Sequence, residues 1–117
     1  MIKIYGIKNC DTMKKARLFL TEHQLAHQFI DYRVDGLDAA LINHFCQQLD
    51  WQLLLNTRGT TFRTLPDEAK ANLDQEKAIA LMLAQPAIIK RPVLDIDGQL
   101  HLGFSQDQYQ QLFKSAV

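Results

Sequence analysis

Net charge, long apolar runs and cysteine are what this sequence has least of, and each scarcity excludes something. Thirteen Lys and Arg residues face thirteen Asp and Glu over 117 positions, a formal net charge of zero. Nothing in that balance draws the chain to nucleic acid or to an anionic membrane as its main partner. No apolar run approaches the ~20 residues needed to cross a bilayer, and the first residues lack the layout of a signal peptide. A soluble, cytoplasmic protein is expected. Cys10 and Cys46 are too few for a disulfide framework, and a structural bond between them is not expected in a reducing compartment. The histidines are scattered (His23, His27, His44, His101), so no metal site is expected. Repeats, linkers and low-complexity segments are also missing. With 47% apolar residues, the chain has enough core for a single domain over residues 1–117.

What is present begins at the N-terminus. Ile2, Ile4 and Tyr5 read as a short strand, and Gly6 breaks it. Asn9-Cys10-Asp11-Thr12 has the small polar residues that start helices. Beyond it, Met13, Ala16, Phe19, Leu20 and His23 share one face at a 3.6-residue period. Cys10 therefore stands at a strand-to-helix turn. Free N–H groups and the positive end of the helix dipole both favour an anion there. For cysteine that anion is the nucleophilic thiolate, whose pKa falls from about 8.5 to roughly 3.5–7.5 in such places. Lys8, Lys14 and Lys15 add positive charge nearby, Lys14 one helical turn on from Cys10, while Asp11 opposes them. A lone cysteine is commonly a small buried hydrophobe, but Lys8, Asn9, Asp11 and Thr12 are not core company. Cys10 is read as reactive.

The remaining elements follow in order. Ala26–Val34 carries Phe29, Ile30, Tyr32 and Val34 and predicts a second strand, ended by Asp35-Gly36. Leu37–Asp50 predicts a helix with Leu41, Ile42, Phe45, Cys46 and Leu49 inward, which makes Cys46 a packing residue. Trp51–Leu55 continues as a short helical turn. Asn56–Arg63 is polar and without period: it is either a solvated connection or an anion cradle built on Arg58 and Arg63. Pro66-Asp67-Glu68 starts a short helix to about Asn72, and Asp74–Ala84 predicts another with Ala78, Leu81 and Met82 inward. Pro86 stops it. Val93–Ile96 and Gln99–Phe104 flank Asp97-Gly98, a hairpin signal, and Ser105 caps a last helix with Tyr109, Leu112 and Phe113 inward. His101 belongs on the surface of its strand. A βαβ unit followed by a hairpin and a helix gives an α/β, thioredoxin-like fold. It has a mixed four-stranded sheet, flanking helices and a helical insertion.

Three stretches carry a resemblance. Tyr5-Gly6-Ile7-Lys8-Asn9-Cys10-Asp11-Thr12 with Lys14-Lys15-Ala16, then Asn56-Thr57-Arg58-Gly59-Thr60, then Ile89-Lys90-Arg91-Pro92-Val93-Leu94 together resemble the arsenate reductase (ArsC)/Spx family, most closely its YffB-like branch. The resemblance runs the whole length. It implies that Cys10 is the nucleophile and that Arg58 and Arg91 bind an oxyanion or glutathione carboxylates. Asn9, Lys14 and Pro92 complete the implied site, Lys14 by helping to hold Cys10 ionised and Pro92 as a cis-proline. Two positions depart from the arsenate-reducing members. Phe104 stands where they have a third arginine, and Gly6 where they have a histidine. Met13 replaces the second cysteine of the CxxC pair typical of Spx regulators, which excludes a disulfide switch within that motif.

The resulting expectation is a glutathione-dependent thiol reductase that works through a mixed disulfide on Cys10. Glutathione would be co-substrate and glutaredoxin a candidate partner, with no metal or prosthetic group. The chain is expected to be a monomer that contacts neither nucleic acid nor membrane. The alternatives are an arsenate reductase using glutathione and glutaredoxin, and a non-enzymatic Spx-like regulator that binds a protein partner.

Overall fold

Alternation in the first strand decides the centre of the sheet. Ile4 and Tyr5 are neighbours in β1 (Ile2–Gly6), and both are buried. Successive side chains point to opposite faces of a strand, so β1 needs cover on both sides. In the computed structural model, which describes residues 1–114, β1 is accordingly an inner strand of a four-stranded sheet ordered β2-β1-β3-β4. It runs parallel to β2 (His27–Asp31), with Ile4 opposite Phe29 and Gly6 opposite Asp31. It runs antiparallel to β3 (Val93–Ile96), with Ile4 opposite Leu94. β4 (Gln99–Leu102) pairs with β3 through a two-residue turn. Asp97 and Gly98 both have positive φ there, 50° and 94°, as a type I′ turn requires. The Asp95 carboxylate accepts the Gly98 N–H at 2.7 Å and holds the turn.

Each face of the sheet has its own apolar layer. On one, Ile4 and Leu94 meet Met13, Ala16, Phe19 and Leu20 of α1 (Asp11–Glu22), with Tyr109 of α7 (Gln106–Leu112) and Phe113 just beyond it. On the other, Tyr5 and Val93 meet Ile42 and Phe45 of α2 (Ala39–Cys46) and Ala78, Ile79 and Met82 of α6 (Gln75–Ala84). Three single-turn helices lie between α2 and α6: α3 (Trp51–Leu54), α4 (Thr60–Arg63) and α5 (Asp67–Lys70). The thioredoxin-like layout, the mixed sheet and the helical insertion all agree with the sequence reading, and the Arg91–Pro92 peptide is cis. Residues 115–117 of the expected domain lie outside the described residues.

Local boundaries differ where hydrogen bonds override pattern. β2 ends at Asp31, not Val34, because the Asp31 carbonyl accepts the N–H groups of Val34 and Asp35 at 3.1 and 2.7 Å. That turn leaves Val34 79% exposed. Thr60–Arg63 is helical where no period was legible: Arg63 N–H bonds the Gly59 carbonyl at 3.1 Å and Phe62 anchors the turn in the core. α2 starts at Ala39 behind Asp38 as its cap and ends at Cys46, shorter than the expected 37–50. β4 stops at Leu102, and α5 at Lys70. Among the described residues no helix is long and apolar enough to cross a membrane.

Candidate active site around Cys10

The longer helices α2, α6 and α7 are each capped by a side-chain oxygen, from Asp38, Asp74 and Ser105. α1 is not. Its N-cap is Cys10, in extended backbone at φ −138° and ψ 128°, and no side-chain capping hydrogen bond closes the first turn. The helix begins with the Cys10 carbonyl accepting Lys14 N–H at 3.0 Å, which leaves the earlier N–H groups without helical partners. Those donors act on the sulfur. Burial alone would push the Cys10 thiol up. The Met13 N–H, the Arg91 charge, the Thr12 N–H and a hydrogen bond from Arg91 together outweigh it, and the pKa is lowered. A neutral thiol makes no formed cap, whereas the charged sulfur is favoured by the same amides.

Arg91 comes to the sulfur from the residue before cis-Pro92. Its Nη1 also donates to the Ala87 carbonyl at 3.4 Å. Arg58 arrives by a different route. Asn56 N–H donates to the Ile88 carbonyl and Lys90 N–H to the Leu54 carbonyl, both at 2.7 Å, around a bridge of Leu55 with Ile89. Asn56 Oδ1 then accepts Arg58 N–H at 3.1 Å and folds the loop back. The result is an open cleft of about 590 Å³ with Cys10 and Thr12 in its lining. Arg58, Lys90 and Arg91 give that lining three cations, and Leu53, Leu55 and Phe104 give it apolar surface. Gly103 N–H donates to the Pro92 carbonyl at 2.9 Å. The Phe104 ring stands edge-on to Tyr109, 4.6 Å between centroids.

The cleft therefore gathers Cys10, Arg58 and Arg91 of the residues expected from sequence, with buried Pro92 adjoining Arg91. Asn9 and Lys14 are exposed and outside the lining, and Lys14 is not among the groups that lower the Cys10 pKa. Of the Asn56–Arg63 segment, read as a solvated connection or a cradle, Asn56, Thr57 and Arg58 line the cleft and Arg63 does not, while Gln52, Leu53 and Lys90 join the lining from outside it. Lys90 was legible as the neighbour of Arg91. Gln52 and Leu53 carry no local signal.

Two further placements bear on chemistry. Met13, where a second cysteine of a CxxC pair would stand, is fully buried. A Cβ at Gly6 would run into the Met13 thioether, which would have to shift to admit it. Cys46 packs against the α2–α6 layer and Cys10 against the α1–α7 layer, and both are free. Burial, with the Asp50 charge, raises the Cys46 pKa. Among the described residues no three His, Cys, Asp or Glu side chains cluster to hold a metal ion.

A mixed sheet whose first strand leads to a cysteine at a helix N-terminus, with a cis-proline ahead of β3, defines a thioredoxin-like protein. Within that class the chain belongs to the ArsC family, whose profile matches residues 5–112. The solved structure of a YffB protein is 50% identical, covers 95% of this chain and 97% of its own, and superposes with a TM-score of 0.90. An arsenate reductase (ArsC) related protein from Brucella melitensis is 51% identical over 97% of this chain and 94% of its own, with a TM-score of 0.79. A Haemophilus influenzae protein is 43% identical over 97% of this chain and 99% of its own length.

Proposed function

We propose that this protein is a glutathione-dependent thiol reductase with Cys10 as its one nucleophile. The observation that carries the reading is a thiolate-favouring cysteine that shares a cleft with Arg58, Lys90 and Arg91 and has no second cysteine at its helix start. In the first step Cys10 S⁻ attacks the glutathione sulfur of a mixed disulfide RS–SG. The RS–SG bond breaks, RS⁻ leaves and takes a proton from water, and Cys10 carries glutathione as a mixed disulfide. A second glutathione, as its thiolate, attacks that disulfide, releases oxidised glutathione and regenerates Cys10 S⁻. The sum is RS–SG plus GSH giving RSH plus GSSG. Cys10 needs an outside thiol because Met13 occupies the internal resolving position.

Glutathione carries two carboxylates, and guanidinium groups pair with carboxylates in a forked geometry. Arg91 serves one and, at the same time, stabilises the attacking and leaving sulfur. Arg58, with Lys90 beside Arg91, serves the other. The Arg91 N–H and C=O make no backbone–backbone turn or loop hydrogen bond among the described residues, which leaves them open to the tripeptide backbone. Asn9 and Lys14 lie outside the cleft lining, and Lys14 adds to the general positive field of the helix start. The protein acts in the cytoplasm as a monomer, with glutaredoxin as an alternative source of the resolving thiol.

The deciding experiment supplies reduced glutathione and a small glutathione mixed disulfide to wild type and Cys10→Ser. Turnover by wild type alone is expected. Turnover retained by Cys10→Ser would end the mechanism, and an inert wild-type Cys10 would point instead to a binding protein. Arsenate is the second substrate to try, favoured by the three cations of the cleft. Phe104 opposes it by placing an apolar ring against a small, multiply charged oxyanion.

A further inference from the structure

Among the described residues a single charged side chain is buried, Asp31, at 6% exposure. It closes β2 opposite Gly6 of β1. Its Oδ1 accepts the Arg33 N–H at 2.8 Å, which closes the turn after β2. Its Oδ2 accepts the Lys8 N–H at 3.2 Å, across to the loop that joins β1 to α1. The backbone of the same residue is fully engaged: its N–H donates to Asp35 Oδ2 at 2.8 Å, and its carbonyl takes Val34 and Asp35. Tyr32 N–H bonds the Gly6 carbonyl at 3.0 Å beside it.

Burying a carboxylate is costly unless its oxygens find donors. The turn needs only one oxygen, which an asparagine could supply as well. The second oxygen serves Lys8 alone. Lys8 is two residues ahead of Cys10, and Lys8 and Asn9 are exposed, so their side chains do not pack to fix this loop. The ties that remain are the buried Ile7 and the bond to Asp31.

We propose that Asp31 is a positioning residue for Cys10: through the Lys8 N–H it fixes the loop that presents the sulfur to the Thr12 and Met13 amides and to Arg91. The proposal rests on the reading of Cys10 as the reactive thiolate. Charge and position make opposite demands on the test. The charged groups around Cys10 are Arg91, with Arg58 and Lys90 in the same cleft and Asp11 next in the chain. Asp35 is the one at Asp31. Removing the Asp31 negative charge would, by Coulomb's law alone, lower a nearby thiol's pKa. Losing the loop geometry raises it, because the sulfur leaves the donors that hold it ionised.

The experiment is the rate of Cys10 alkylation by iodoacetamide from pH 5 to 10 on the full chain, for wild type, Asp31→Asn and Asp35→Asn. Asp31→Asn is expected to react several-fold more slowly than wild type near pH 6–7 and to converge with it near pH 10, its apparent pKa moved up. Asp35→Asn weakens the same turn without touching Lys8 and is expected to keep the wild-type profile. An Asp31→Asn profile that stays put or moves down overturns the proposal. A wild-type profile at the ordinary thiol value, near 8.5, would sink the Cys10 reading first and this proposal with it. If Asp31→Asn does not fold, amide hydrogen exchange on wild type decides: Lys8 is expected to exchange far more slowly than Asn9, and equal rates overturn the tie.

Discussion

Arg91 and Cys10 line one cleft from distant parts of the chain, and the Arg91 charge favours the thiolate while its Nη1 donates to the Ala87 carbonyl at 3.4 Å. One guanidinium is thus anchored on the backbone in the same cleft as the thiol.

Arg91→Ala should therefore change two measurements at once. The Cys10 alkylation profile moves to higher pH, because the charge and the hydrogen bond that favour the thiolate are both gone. The glutathione dependence weakens by the worth of a charge-assisted hydrogen bond, about 1.5–3 kcal/mol, or about tenfold to 150-fold in apparent KM. An unaltered KM with a shifted profile would confine Arg91 to the sulfur.

Arg58 is exposed, so the ion pair proposed for it with a glutathione carboxylate would be screened by water. Arg58→Ala is expected to cost about 0.2–1 kcal/mol, seen as a rise of a few-fold at most in glutathione KM with kcat held. A collapse in kcat would mean that Arg58 touches the reacting atoms.

The two cysteines should separate cleanly. One equivalent of iodoacetamide at neutral pH is expected to modify Cys10, lowered in pKa, and to spare Cys46, raised by burial and by Asp50. Peptide mapping by mass spectrometry reads the site. Cys46→Ser should keep its turnover, and label found mainly on Cys46 would reverse the assignment.

Linkage gives a stability test with a definite sign. The folded-state pKa of Cys10 is lowered, so between it and the unfolded value near 8.5 the unfolded chain binds more protons. Stability from Cys10 is therefore full above the unfolded pKa and is lost as pH falls through the folded one. Urea unfolding of wild type and Cys10→Ala at pH 6 and pH 9 checks it, since groups common to both cancel in the difference. The wild-type advantage should grow with pH, and a flat or falling difference would contradict the lowered pKa.

Much of this fold was legible because short-range rules and long-range packing agreed. Ile4 and Tyr5 alternate, Asp97-Gly98 turns a hairpin, and Ser105 caps α7 as its position implied. The β2 end and the Thr60–Arg63 turn were not legible: a backbone carbonyl at Asp31 and one buried ring, Phe62, decide them. The site divides in the same way. Cys10 could be found from local context, since a helix start is a local object. The meeting of Arg58 with Arg91 depends on the bridge between Leu55 and Ile89, which no spacing encodes. Nearness in sequence points to Lys14, but its side chain lies outside the cleft lining. Asp31 left one faint trace, a carboxylate between Ile30 and Tyr32 in an otherwise apolar strand end.

Gly6 and Met13 make a matched pair. Gly6→Ala would drive a Cβ against the buried Met13 sulfur, and overpacking of this kind costs about 1–3 kcal/mol. Gly6→Ala with Met13→Ala should cost less than the two single changes added together. Strict additivity in urea unfolding would show that the two side chains do not compete for that space.

The rung that joins Leu54 and Asn56 to Ile88 and Lys90 also fixes the gauge of the cleft. Its two hydrogen bonds, each 2.7 Å long, tie the strip that bears Arg58 to the strip that bears Arg91. The separation of the two backbone strips that carry those arginines is thus set by main-chain atoms, which no side-chain substitution in the lining removes. Changes at Gln52, Leu53 or Phe104 can reshape what the cleft admits, while the two backbone strips stay tied.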